Sequence, residues 1–197
     1  IRISNGIDFD AIPLKQHIND TSHELHLIGV AEVHYWHGFD RLIQGLAEYY
    51  LQEQSYKVFF HIVGQLSGER ERQEIIPAIY VILHGARYGK ELDELFEQAD
   101  LGIGSLGRHR SGIDKIKVLK NREYAARGLA FTYSETDEVF DNMPYVWKVP
   151  TNETSMDIQK LIEFHQSIHL QPIEIRNSIA NLSWKHQMQE VINQISL

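Results

Sequence analysis

The residues of this 197-residue chain best suited to chemistry gather between Gly104 and Glu123. The stretch Gly104 to Lys115 (GSLGRHRSGIDK) mixes glycines with Arg108, His109, Arg110 and Lys115. Glycines let a backbone approach a ligand closely, and clustered cations suit a captured anion. A plain exposed loop would have a similar composition. Lys120 and Glu123 follow, three residues apart, in the first turns of an expected helix. A helix N-terminus presents unpaired N–H groups and the positive end of the peptide dipoles. Lys120 and the backbone amides of Val118 and Leu119 could therefore hold phosphate together. The alternative for Lys120 is an ordinary solvated lysine. The Glu123 carboxylate has two acceptor oxygens, which suits a diol. Its alternative is an ion pair with Arg127 one helical turn on.

The chain has 11 histidines, including the pairs His23/His26 and His34/His37. Residues i and i+3 of a strand point to opposite faces, and His23 and His26 open an expected strand. His34 and His37 straddle a turn. There is no cysteine, and no carboxylate motif accompanies the histidines, so no metal site and no cofactor are assigned. No residue is assigned a catalytic role. Trp36, Tyr50 and Phe96 read as packing residues, with stacking on a ligand left open for Tyr35 and Trp36. Trp184 is expected to pack the last helix back on the domain.

These residues must be positioned by alternating apolar runs and amphipathic stretches. Strands are expected at Leu25 to Ala31, Lys57 to Val63, Ile79 to Leu83, Leu101 to Ile103, Leu129 to Tyr133 and Tyr145 to Val149. Helices are expected at Phe39 to Gln54, Glu69 to Ile76 (stopped by Pro77), Tyr88 to Gln98 and Lys115 to Arg127, the last capped by Gly128. From Met156 onward the pattern is helical. Strand then helix, repeated, implies an α/β fold: a Rossmann-like parallel sheet of about six strands with helices on both faces. Ligands of such sheets bind beyond the carboxyl ends of the strands. Here those ends are Ala31 to Gly38, Gly64 to Gly68, His84 to Gly85 and Ser105 to Lys120.

A hydrophobic fraction of 43% is enough to fill the core of one domain. Lys plus Arg is 19 and Asp plus Glu is 27, so the net charge is −8. Binding to long nucleic acid needs a basic face, and that partner is excluded from the expectations. No apolar run is long enough to span a bilayer, and no signal peptide is visible. Because the chain starts at Ile1 rather than Met, a soluble, cytoplasmic piece of a larger protein is expected.

Several segments, in order, resemble the C-terminal domain of GT-B glycosyltransferases of family 4 (glycosyl transferases group 1). Ile3 to Asp8 (ISNGID) resembles the "pNGvD" segment leading into that domain, and Trp36 to Leu42 (WHGFDRL) its "KGfdrLi" helix start. His61 to Gly64 (HIVG) resembles "l.ivG.G", and Glu91 to Ser105 resembles "el..ly..advfv.PS". Lys120 to Gly128 (KNREYAARG) resembles "K..Ey.a.G", and Ser183-Trp184 the "ySW" of the last helix. The resemblance implies residues 1–20 as interdomain linker, 21–182 as a nucleotide-sugar-binding domain, and 183–197 as a helix packing toward an N-terminal domain. It implies a UDP- or GDP-sugar donor, retention of configuration, no required metal, and a glycan or lipid-linked acceptor held by the N-terminal half. The fragment alone is expected to transfer nothing. A bacterial role in capsular or surface polysaccharide synthesis follows, with possible peripheral association at the inner face of the membrane.

The same resemblance makes Glu123 the acceptor of ribose hydroxyls and the region of Lys120 the seat of the diphosphate leaving group. It places His84 nearer the base pocket, where a structural role is equally open, and gives Gly38 the task of letting backbone approach the ligand. The chain departs from the family at two places. The family's first motif carboxylate, which contacts the donor sugar, falls at Lys115. Glu32 and His37 stand roughly where the family has a phosphate-gripping Arg and Lys. A histidine there can donate a hydrogen bond, more strongly when protonated, and cationic duty is expected to move to Ser105 to Lys120. These departures favour the runner-up, a non-catalytic binding or scaffold domain. A third reading, a flavodoxin-like regulatory domain, lacks an acidic cluster after the first strand.

Overall fold

A computed structural model describes residues 5–18, 23–75 and 78–195. Six strands, β1 (Glu24–Val30), β2 (Lys57–Val63), β3 (Val81–Gly85), β4 (Leu101–Ile103), β5 (Ala130–Tyr133) and β6 (Val146–Lys148), form one sheet. All five pairings are parallel, in the order β3-β2-β1-β4-β5-β6. Among the described residues seven α-helices accompany them: α1 (Phe39–Tyr49), α2 (Glu69–Glu74), α3 (Gly89–Gln98), α4 (Leu119–Arg127), α5 (Ile158–Gln166), α6 (Pro172–Ser178) and α7 (Trp184–Ile195). This is the expected Rossmann-like α/β fold. The order turns back at β1, whereas a flavodoxin-like sheet runs 2-1-3-4-5, so that alternative is excluded.

The strands form because their apolar residues are covered on both faces. On one face Phe39, Leu42 and Leu46 of α1 are fully buried, with Phe39 edge-on to Phe60 of β2. Each such side chain contributes roughly 1.5–3 kcal/mol. On the opposite face Tyr124 of α4 lies against Gly102 of β4, where an added Cβ would meet the ring at 2.7 Å. The Tyr124 hydroxyl donates to Ile103 O at 3.0 Å, anchoring α4 at the seam between β1 and β4. Asp157 caps α5 by accepting from the Lys160 N–H. Pro172 opens α6, and Gly128 ends α4 at φ 77°.

Several boundaries differ from the sequence reading. The helix from Phe39 ends at Tyr49 rather than Gln54, and the third strand runs two residues later. Ile76 and Pro77 lie outside the described residues. The largest difference is α4, which begins at Leu119 and not at Lys115. Residues 114 to 116 are extended beside Thr136, whose N–H donates to Asp114 O at 2.7 Å and whose O accepts from Ile116 N–H at 3.2 Å. Pairing with a neighbouring chain segment wins over helix extension, because it satisfies the same backbone groups.

Residues 5–18 are docked along the domain. Ile7 pairs with Ser183, and an added Cβ on Gly6 would meet the Trp184 ring at 2.4 Å. Trp184 thus packs on this incoming segment while remaining 47% exposed. Farther along, Lys15 donates to Ala99 O at 2.8 Å, beneath the sheet. Residues 1–4, 19–22 and 196–197, which carry parts of the expected linker and last helix, lie outside the described residues.

Candidate functional site

The strand order reverses at β1 and β4, so the segments leaving these two strands flank the topological switch point, the place where sheets of this kind bind ligands. After β1 the chain makes a 3-10 turn, Tyr35–His37, before α1; after β4 it makes another, Arg108–Ser111, before α4. The two segments touch backbone to backbone. The Leu106 N–H donates to His37 O at 2.7 Å. Gly38 adopts φ 65°, and a Cβ there would sit 2.4 Å from Gly107 N. Only glycine fits. The backbone that Gly38 admits in this structure is that of the Leu106–Gly107 loop.

Four polar atoms lie buried at this switch point with no hydrogen-bond partner among the described residues: Arg108 Nε, Lys120 Nζ, Asn121 Oδ1 and Glu135 Oε2. Asn121 and Glu135 are fully buried, and Asn121 Nδ2 donates to Glu135 Oε1 at 3.1 Å. Lys120 keeps part of its stem exposed but turns its ammonium inward, 5.9 Å from the Phe39 ring centre. Burial, aided by the Arg108 charge and opposed by Glu135, lowers the Lys120 pKa to about 7. Burial also raises the Glu135 carboxyl above its ordinary range, against the pull of its own backbone N–H, Asn121, Lys120 and Arg108. Each buried polar atom left unpaired costs about 1–3 kcal/mol. Such a concentration is unusual, and a ligand offering both anionic and hydroxyl groups would satisfy it.

His37 borders the cluster. Burial, followed by the charge of Lys120, pushes its pKa down to about 2. The ring is therefore neutral, and a hydrogen bond from it would be that of a neutral imidazole. Its Nδ1 accepts from the His34 N–H at 2.9 Å, with His34 O farther off at 3.2 Å, and in that tautomer Nε2 carries the proton. The first turn of α4 follows Val118, which supplies no side-chain cap.

The other loop cations are spent elsewhere. Arg110 forks onto Asp40 of α1, Nη1 to Oδ1 and Nη2 to Oδ2, both at 2.7 Å, and its Nε reaches Glu153 at 3.1 Å. These carboxylates raise its pKa. His109 Nε2 lies 2.6 Å from Glu153 Oε1. Lys115 is exposed and bound to Glu138. Of Arg108, Arg110 and Lys115, only Arg108 has a buried nitrogen without a partner among the described residues; on the same loop His109 Nδ1 is another such atom. Arg110 and the buried Arg41 act as clamps. Arg41 donates to Leu106 O, Pro150 O, Thr154 O and Asn152 Oδ1, which fixes the loop carrying Arg108.

Glu123 is half buried on α4. Its Oε1 accepts from Arg127 Nε at 3.0 Å, so the i+4 ion pair is formed. Arg127 also binds Asp93 of α3 at 2.7 Å and lies over Phe96. His84 joins a histidine ladder across three strands. His26 Nδ1 is 3.0 Å from His61 Nε2, and His61 Nδ1 is 2.9 Å from His84 Nε2. A cavity of ≈ 280 Å³ opens at the ends of β1 to β3, lined by Val30, Glu32, Gly64, Gln65, Arg87 and Tyr88 among others; His84 does not line it. Another cavity, of ≈ 330 Å³, includes Asp100, Leu129 and His165 and lies at the amino ends of β4 and β5, away from the switch point. No group of three His, Asp or Glu among the described residues is arranged to hold a metal. Sequence reasoning missed Asn121 and Glu135, which carry no motif. The signal present was a carboxylate two residues after the apolar strand β5.

The fold is a Rossmann-like domain with a group of buried, unpartnered polar atoms at its topological switch point. No family model and no curated protein matches the chain. Solved structures do. The chain is similar to Anabaena Alr3699/HepE in complex with UDP, with a TM-score of 0.68 and 17% identity over 98% of this chain and 56% of that one. The same Anabaena protein in complex with UDP-glucose gives 0.61 at 16% identity, over the same shares of each chain. A GtfA/B complex gives 0.58 at 13% identity, over 94% of this chain and 39% of that one. These likenesses establish the Rossmann-like fold, and the chain spans little more than half the length of the Anabaena protein.

Proposed function

We propose that this domain binds the nucleoside-diphosphate portion of a UDP- or GDP-sugar at the β1/β4 switch point and forms the donor half of a retaining glycosyltransferase. The observation that carries this reading is the group of buried, unpartnered polar atoms at the mouth of the sheet. The diphosphate would lie against Lys120, Arg108, the Nε2–H of His37 and the backbone amides of Val118 and Leu119. Cations and helix N–H groups there stabilise charge that grows as the diphosphate leaves. Glu123, held by Arg127, would accept the ribose hydroxyls. This scheme uses no metal. A second half of the protein would hold a glycan or lipid-linked acceptor, and this domain alone would transfer nothing. The sequence resemblance supports a bacterial, cytoplasmic role in surface polysaccharide synthesis, with peripheral attachment to the membrane's inner face. Among the described residues no helix is long and apolar enough to cross a membrane.

Support also comes from structures of this fold that hold UDP or UDP-glucose, as the Anabaena protein does. The outward-turned Lys115 favours the second reading, a non-catalytic binding domain. Calorimetric titration with UDP, GDP and their sugars tests the binding claim, and Glu123→Ala is expected to weaken binding about tenfold, the loss of one charged hydrogen bond. Absence of any nucleotide binding at millimolar concentration would end the proposal. Failure to transfer sugar from several donors, once the chain is joined to its natural second half, would favour the binding-domain reading.

A further inference from the structure

Arg108 and Lys120 are donors and suit phosphate. The other two unpartnered atoms of the cluster, Asn121 Oδ1 and Glu135 Oε2, are acceptors, which a phosphate would repel. They are already joined through the Asn121 Nδ2 to Glu135 Oε1 bond, so both present a spare lone-pair oxygen from one rigid unit. Both side chains are fully buried. The unit sits at the carboxyl ends of β4 and β5: an added Cβ on Gly104, directly after β4, would lie 2.9 Å from Asn121 Oδ1.

Position 115 lies beside this unit. Its backbone bridges to Thr136, the residue after Glu135. The Lys115 side chain turns away to the exposed Glu138. Glu135, the residue before Thr136, is by contrast fully buried. Glu135 feels the Lys120 charge without being hydrogen-bonded to it.

Resting on the nucleotide-sugar reading, we propose that Glu135 and Asn121 form the subsite for the group esterified to the diphosphate, and that this group is a neutral sugar donating hydroxyl hydrogens to Glu135 Oε2 and Asn121 Oδ1. A sugar carrying its own carboxylate would face Glu135 with like charge and is rejected. Glu135 is here a specificity-determining residue, and Lys115 contributes nothing to the choice.

The test is calorimetry on the whole chain with UDP, UDP-glucose and UDP-glucuronate, and with GDP and GDP-mannose. The wild type is expected to bind a neutral sugar nucleotide at least tenfold more tightly than the bare diphosphate, and at least tenfold more tightly than UDP-glucuronate if the uridine series binds. Glu135→Gln is expected to reduce the ratio of neutral-sugar-nucleotide affinity to bare-diphosphate affinity to threefold or less, whatever the change in diphosphate affinity that follows from the loss of its charge beside Lys120. A wild type that binds UDP as tightly as UDP-glucose, or prefers UDP-glucuronate, overturns the inference while leaving nucleotide binding intact. So does a folded Glu135→Gln, or Glu135→Asp should the first not fold, that keeps the full sugar preference: Glu135 would then be a structural partner of Lys120. Loss of all nucleotide binding in the wild type instead removes the function proposed above, and this subsite with it.

Discussion

Two basic–acidic pairs connect α4 to the segment after β5, and they behave in opposite ways. Arg122 and Asp137 are fully buried and bonded, Nη1 to Oδ2 at 2.8 Å, with a further bond from Arg122 to Val118 O. Lys120 and Glu135, two residues earlier on each element, are buried at their charged atoms yet unbonded to each other. The same two backbones carry both pairs, so neither chain separation nor burial explains the difference. Arg122 is long and planar, with a fork that can grip a carboxylate while bonding its own helix. Lys120 instead turns inward toward Phe39. The closed pair joins helix to sheet, and the open one leaves an ammonium and a carboxyl oxygen without partners among the described residues.

The largest effect is expected where the closed pair is broken. Asp137→Ala strands a buried guanidinium and should cost about 3–5 kcal/mol of stability, read from urea unfolding. A loss under about 1 kcal/mol would mean that the pair is a bystander. Next, Lys120→Met should weaken nucleotide binding by about 10- to 100-fold, since a charged hydrogen bond is worth about 1.5–3 kcal/mol. In contrast to Asp137→Ala, it should not lower the urea midpoint, because it removes an unpaired buried ammonium. A less stable Lys120→Met would erase the distinction between the pairs.

The pH response sharpens the contrast. The Lys120 pKa is depressed from 10.5 to about 7, chiefly by burial. Folding is thus penalised by its charge at low pH, and the ligand-free protein should gain stability from this group as pH rises from about 7 to 10.5. A bound diphosphate restores the charged form. Nucleotide affinity should be level below pH 7 and fall by up to about tenfold per unit above it, with proton uptake seen in buffers of different ionisation enthalpy. Lys120→Met should lose this slope. The smallest effect is expected from Lys115→Ala, which should change neither melting temperature nor nucleotide affinity measurably, its partner Glu138 being exposed.

Much of the scaffold was legible beforehand, because buried parallel strands write themselves as apolar runs. Lys57–Val63 and Leu101–Ile103 have the boundaries the sequence suggests. The expected cationic loop lies at the switch point, and Lys120 is in the first turn of its helix. What misled was counting cations without their partners. Asp40 and Glu153 are 70 and 43 residues from Arg110, and nothing in the local pattern predicts that they consume it. His37 was likewise read as an ionisable donor because its burial was invisible.

The order of apolar and polar residues by itself determined the Rossmann-like sheet, since period and length report which surfaces must leave water. Only the tertiary structure decided which charges remain open. Ion pairing and desolvation depend on groups distant in sequence that meet after the sheet closes: Arg110 is sealed, Lys115 faces outward, and Lys120, Asn121 and Glu135 are left buried with unpaired atoms.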